Sequence, residues 1–381
     1  MEFALSDEQR LIAESAAKFV ADRYDFETRR KLAASEAGFS RENWRQFAEL
    51  GWLALPFPED VGGLGGTPVE VMLLMEAFGR GLVLEPYLPA ILLAGRTLAH
   101  ACEAARAAEL LAPVIAGERI PALADEEAGT RGDPAATTTT AIPEGGGFRL
   151  AGRKAVVLAA PAADAFLVLA RHAGGPPQGA LQLFLVPRDA EGLSVIAYRT
   201  TDGARAGELV LEDVRLPADA ALGAPGEPTL AALARVREEA ALAMAAEILG
   251  IAQAAFEATR AYLMQRRQFG RPLAAFQVLQ HRLADMLIAV EELRSIVAAA
   301  TMRAAAAPMT AEARKLAAAA LTRAIEAGDF VTAQAVQLHG GMGVSEELNV
   351  GTWFKRFHAL KALIGDRELL LDRIAENAAA A

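Results

Sequence analysis

Residues 264–286 read MQRRQFGRPLAAFQVLQHRLADM. Three arginines (Arg266, Arg267 and Arg271), Gln268 and Phe269 crowd one corner, where an apolar helix breaks at Gly-Arg-Pro and a second begins. A guanidinium is planar and always charged, and it suits a bidentate grip on phosphate oxygens. An isolated Arg-rich helix end is more often a solvated face or a charge set against the helix dipole. The corner therefore needs a second feature before it counts as an anion site. Carboxylates that could move a proton lie upstream, at Glu238, Glu239 and, two turns on, Glu247. Arg237-Glu238-Glu239 reads as a solvated helix start, with acids near the N-terminal turns. Glu247 lies between AMAA and ILG, an apolar setting where a carboxylate needs a partner or a raised pKa. An arginine of the next helix would serve as that partner. Five scattered histidines and the single Cys102 make no metal-ligand cluster, and His281 and His339 read as packing residues.

Three segments must position these residues. Residues 1–118 read as helices: Ser6 and Gln9 make a capping box before LIAESAAKFV, and another helix starts near Ser40. Residues 119–223 are short β-rich runs punctuated by Gly, Pro and Asp, a small barrel or sandwich, with AIPEGGGFRLAG as a hairpin. Residues 224–381 return to helix, with three long runs and a fourth spanning the tail, which make a four-helix bundle. The expected fold class is α+β: a helical N-terminal domain, a central β-barrel domain and a C-terminal bundle.

With 381 residues, 53% of them hydrophobic, the chain can bury more than one core. A net charge of −10 argues against a general grip on nucleic acid. One cysteine fits the reducing cytosol, and the N-terminus lacks the basic and apolar regions of a signal peptide, so the expected location is cytoplasmic. Charges interrupt the longest apolar runs, so no membrane span is expected. No βαβ unit with a Gly-x-Gly-x-x-Gly turn is present, which disfavours a nicotinamide-type Rossmann site.

QRRQFGRPLAAFQVLQHRLADM at 265–286, QAVQLHGGMGVSEE at 334–347, LPFPEDVGGLGG at 55–66 and LSDEQRLI at 5–12 together resemble the acyl-CoA dehydrogenase family over the whole chain. RYDFETRR at 23–30, followed by GWLALPFPED, is similar to the small subunit of heteromeric, pimeloyl-CoA-type members. The resemblance implies FAD-dependent oxidation of the α,β-bond of an acyl-CoA thioester. It implies a carboxylate that takes the α-proton, electron-transferring flavoprotein as acceptor, and a tetramer of dimers with each FAD across a dimer interface. On this reading Arg266 meets the pyrophosphate of a neighbour's FAD, and Gln268 and Phe269 line that cofactor. Gln337, Gly340 and Gly341 supply the second cross-interface contact, and the glycines let backbone approach closely.

The half of the site that a subunit keeps for itself departs from the family pattern. In ALADEEAGTRGDP, 122–134, Ala124 stands where the family has a hydroxyl residue, and Thr130 is the remaining candidate contact. Val156 replaces an aromatic residue and Leu158 a threonine. In the tail, Ile364 occupies the position of the usual glutamate base, with Gly365 and Asp366 after it. A minority of members place the base on the first bundle helix, near Ala240, which leaves Glu239 or Glu247 as candidates. Three readings follow. The first is a small subunit of an α2β2 complex that completes the FAD site of a paralogous partner. The second is a self-sufficient homomeric dehydrogenase. The third is a non-catalytic assembly protein that keeps the fold.

Overall fold

The computed structural model describes residues 4–130, 132–174, 179–365 and 367–379. They form two compact units. One takes its residues from 1–31, 67–83 and 241–381, the other from 32–66 and 84–240.

The first unit is helical. Its helix α1 (Asp7–Arg23) opens with the expected capping box: the Ser6 hydroxyl accepts from the Gln9 N–H, and the Gln9 side chain answers the Ser6 N–H. The chain continues through α2 (Phe26–Ala34), whose last residues pass into the second unit, as does α3 (Arg41–Glu49), capped by Ser40. Helix α4 (Pro68–Gly81) returns to the first unit behind a second capping box, Thr67 with Glu70. In the second unit, residues 87–115 are divided among three helical stretches. Tyr87–Gly95 is π-helical, α5 spans Arg96–Ala101 and α6 spans Ala104–Ile115. The break falls at Cys102 and Glu103, which are both extended.

The β strands also belong to the second unit. They are β1 (Pro121–Ala124), β2 (Thr140–Glu144), β3 (Gly147–Leu158), β4 (Ala165–His172), β5 (Leu181–Pro187), β6 (Leu193–Arg199), β7 (Arg205–Pro217) and β8 (Ala221–Leu222). The sheet runs β6-β7-β3-β2-β4-β5-β8, with β1 added in parallel to β4. The expected hairpin is β2–β3. Gly145 (φ 61°) and Gly146 (φ 85°) form a two-residue turn with both φ positive, which matches the twist of the strands and favours glycine. Phe166, Val168, Phe184, Val186, Leu209 and Val214 close the core of this sheet.

Helix α7 (Glu227–Gln265) begins in the second unit and ends in the first. It alone among the described helices is long and apolar enough to cross a membrane, and 83% of that apolar window is buried in the protein, so the core accounts for it. After it come β9 (Arg267–Gln268), β10 (Arg271–Pro272), α8 (Gln277–Ala306), α9 (Ala311–His339), α10 (Val350–Ile364) and α11 (Arg367–Ala379). The tail is therefore two helices, not one. Gly365, with φ 99°, terminates α10 in a backbone conformation that cannot continue the helix. Helices α8, α10 and α11 all pack on α9. Helices α4 and α7 cross backbone to backbone: a Cβ on Gly250 would lie 1.9 Å from the Glu76 carbonyl oxygen, and one on Gly79 would lie 2.0 Å from that of Glu247. Only glycine permits that approach.

Candidate functional site

The Arg-rich corner is a small hairpin. Helix α7 ends at Gln265, and the Arg266 N–H still bonds the Tyr262 carbonyl at 2.8 Å. Strands β9 and β10 then pair antiparallel around a Phe269-Gly270 turn with φ of 53° and 78°. A phenylalanine in the left-handed region is costly, because its Cβ crowds the backbone. It is also 88% exposed, although Phe276 meets its ring edge-on at 6.1 Å. The three arginines differ. Arg267 donates to the Gly270 carbonyl at 3.2 Å, and Arg271 lies 4.0 Å over the Phe276 ring. The exposed Arg266 guanidinium has no hydrogen-bond or ion-pair partner among the described residues. Gln268 and Gln337 are also exposed, and their side chains make no hydrogen bond among the described residues.

The second stretch, at the end of α9, lies in the same unit. Gly340 caps the helix with φ 60°. A Cβ on Gly341 would meet nothing within 4 Å, and its φ lies outside the left-handed region, so the chain's own packing does not require glycine there. Gly343 differs, since its Cβ would lie 2.3 Å from the Val336 carbonyl oxygen. A free outward guanidinium, a strained exposed aromatic and an unforced glycine suit an anionic, ring-bearing cofactor approaching from outside. FAD fits this half of the site.

The loop at 122–134 and the strand at 154–160 lie in the second unit, where their polar side chains pair with other groups of that unit. Arg237 of α7 binds Asp125 at 2.8 Å and Glu126 at 2.9 Å. Glu127 accepts from the fully buried Lys154 at 2.7 Å, from the Thr138 N–H at 2.8 Å and from the Thr139 N–H at 3.0 Å. Burial raises the Glu127 carboxyl, but Lys154 and the two threonines outweigh it and hold the pKa at about 2. Thr130 is buried, and its hydroxyl is engaged within its own loop, donating to the Glu127 carbonyl at 3.0 Å and to Glu126 at 3.2 Å. Val156 sits at a bulge of β3 with φ 52° and 51% exposure. The bulge presents that position outward, but the side chain there offers no aromatic face. Among the described residues, the side chains of Asp125, Glu126, Glu127, Thr130 and Lys154 pair with one another or with Arg237.

The candidate bases are engaged as well. Glu239 accepts from Arg96 at 2.8 and 2.9 Å, from Arg235 at 3.1 Å, and faces His100 at 3.2 Å. Burial pushes its carboxyl up, but the hydrogen bonds from His100 and Arg96 carry it well below the usual carboxylate range. The expected solvated helix start at 237–239 is thus corrected: α7 begins at Glu227, and by Glu239 it is packed among arginines. Glu247 is buried and paired with Arg356 at 2.6 Å, an arginine of α10 instead of the next helix. Ile364 closes α10, and Asp366 lies outside the described residues. Among the described residues no group of His, Cys, Asp and Glu is placed to hold a metal. Sequence reasoning missed the Arg237 and Lys154 pairs and the Arg96–His100 cage, because each joins residues 27 to 143 positions apart with no local signal.

Three family descriptions match the chain in order: the acyl-CoA dehydrogenase N-terminal domain over residues 6–118, the middle domain over 122–214 and the C-terminal domain over 232–379. The short-chain-specific acyl-CoA dehydrogenase of Clostridium acetobutylicum is 31% identical over 365 residues, which cover 92% of each chain. Among solved structures, a chain of the ChsE4–ChsE5 complex from Mycobacterium tuberculosis matches with a TM-score of 0.86 and 29% identity over 100% of both chains. A chain of the Tcur3481–Tcur3483 steroid enzyme matches with a TM-score of 0.84 and 34% identity over 98% of both. Helical, sheet and helical segments in that order, together with matches over nearly the full length, leave one conclusion: the chain belongs to the acyl-CoA dehydrogenase family of FAD-dependent oxidoreductases.

Proposed function

We propose that this chain is the small subunit of an α2β2 acyl-CoA dehydrogenase, in which it completes a partner's FAD site and supplies no base. The observation that carries this reading is an asymmetry. Arg266 is exposed and has no partner among the described residues, while the acids of the 125–127 loop are paired with Arg237 and Lys154. Arg266 grips pyrophosphate of the partner's cofactor, Gln268 and Phe269 line it, and Gln337 meets it where Gly340 and Gly341 allow close approach. When bound, FAD takes up the β-hydrogen as hydride, redox chemistry that no side chain can supply. Neither Glu239 nor Glu247 takes the α-proton, since arginines hold both. That proton goes to a carboxylate of the partner. One matched structure is the ChsE4–ChsE5 complex and another is named as the Tcur3481–Tcur3483 steroid enzyme, which supports an unlike partner and a bulky acyl group. Electron-transferring flavoprotein is the acceptor in this reading, and divisions near 118/119 and 223/224 mark its three domains.

The test is to purify the chain alone and co-expressed with a family paralogue that carries a tail glutamate. FAD is counted by absorbance, and turnover is followed with a dye-coupled assay. The pair should be yellow, with about one FAD per two chains, and active; the chain alone should be colourless and slow. One FAD per chain with fast turnover from the chain alone would favour a homomeric enzyme instead. A colourless, inactive pair would favour an assembly protein.

A further inference from the structure

The two stretches that present Arg266 and Gln337 come from parts of the chain about 70 residues apart. Among the described residues, no hydrogen bond or ion pair joins 265–272 to 335–345. A ring stack joins their supporting helices. Tyr262, in the last turn of α7, lies on His339, the last residue of α9, with centroids 4.4 Å apart and planes 26° from parallel. His339 is buried, and its Nδ1 lies 2.8 Å from the Ala335 carbonyl oxygen. A carbonyl only accepts, so Nδ1 carries the proton and the ring is pinned to its own helix. Burial lowers the His339 pKa, which favours the neutral ring.

Each ring is coupled to one half of the cofactor contacts. The Tyr262 carbonyl accepts the N–H of Arg266, so Arg266 follows directly on the turn that carries the ring. His339 directly precedes the cap at Gly340, whose N–H returns to the Gln337 carbonyl. The stack therefore fixes the end of α7 against the end of α9. A cofactor gripped at both places needs that spacing held, because pre-organised donors lose little freedom on binding.

We propose that Tyr262 and His339 are positioning residues, which hold Arg266 and Gln337 in one register for FAD without touching it. The proposal rests on the reading of Arg266 given above, and the test separates the two. FAD dissociation constants are measured by flavin fluorescence on the FAD-loaded oligomer as purified from co-expression. Tyr262→Ala should weaken FAD by roughly 3- to 10-fold, the scale of one aromatic pair. Tyr262→Phe, which keeps the ring, should restore affinity to within about two-fold. Combined with Arg266→Ala, the loss should fall short of the sum of the two single losses, because Tyr262 then acts through Gln337 alone. If Tyr262→Ala fails to assemble, Tyr262→Leu, which keeps volume without a ring, is read the same way. An unchanged constant, failure of Tyr262→Phe to rescue, or full additivity with Arg266→Ala would each overturn the proposal. If Arg266→Ala itself leaves FAD binding unchanged, the underlying reading of the corner fails instead, and the proposal falls with it.

Discussion

Arg356→Ala is expected to destabilise the chain by about 3–5 kcal/mol, the usual cost of leaving a buried charge without its partner. Glu247 is 3% exposed, and its Oε1 takes the Arg356 Nε at 2.6 Å. Its Oε2 is buried with no hydrogen-bond partner among the described residues. Removing the guanidinium leaves the buried carboxylate without its counter-charge, and the cost far exceeds the Coulomb gain the pair contributes in the intact protein. A double replacement, Glu247→Leu with Arg356→Met, should recover most of the loss, since apolar groups of similar volume fill the site without a desolvation penalty. Urea unfolding of the four proteins, wild type included, measures this. A loss below about 1 kcal/mol in Arg356→Ala would show that the pair is solvated and that Glu247 is free for other work.

Arg266→Ala should lower FAD affinity by about one to two decades, equal to the roughly 1.5–3 kcal/mol of a hydrogen bond to a charged group. Stability should change little, because the side chain is exposed and makes no hydrogen bond or ion pair among the described residues. Arg266→Lys should recover only part of the affinity, since an ammonium keeps the charge but loses the fork. Arg267→Ala and Arg271→Ala serve as internal controls. Arg267 is bonded to the Gly270 carbonyl and Arg271 lies on Phe276, so their loss should disturb the hairpin more than the cofactor. FAD titration of the co-expressed complex distinguishes the three positions. Equal losses at all three would reduce the corner to a general positive patch.

Local rules were enough for much of the architecture. Ser6 and Gln9 cap α1 as their spacing requires, because a capping box needs only residues three apart. The β2–β3 hairpin follows from two adjacent glycines that both accept positive φ. The kink that makes two helices of the tail was less legible. Gly365 stands in that run, but a lone glycine in a helical pattern is tolerated at a cost and does not by itself mark an end. The π-helical stretch at Tyr87–Gly95 had no warning in periodicity, since its apolar run reads equally well as an ordinary helix.

The candidate site divides in the same way. By itself the sequence determined which residue types stand at 266–270 and 337–341, and which are missing at 156, 158 and 364. Only the tertiary structure decided which of those groups are free. It set Arg271 on Phe276 and left Arg266 without a partner among the described residues; it turned the Thr130 hydroxyl into its own loop; and it surrounded Glu239 with Arg96, Arg235 and His100. The physical reason is range. Caps, turns and helix periods are settled by neighbours a few residues away, whereas the protonation and availability of a charged group depend on whichever distant element the fold packs against it.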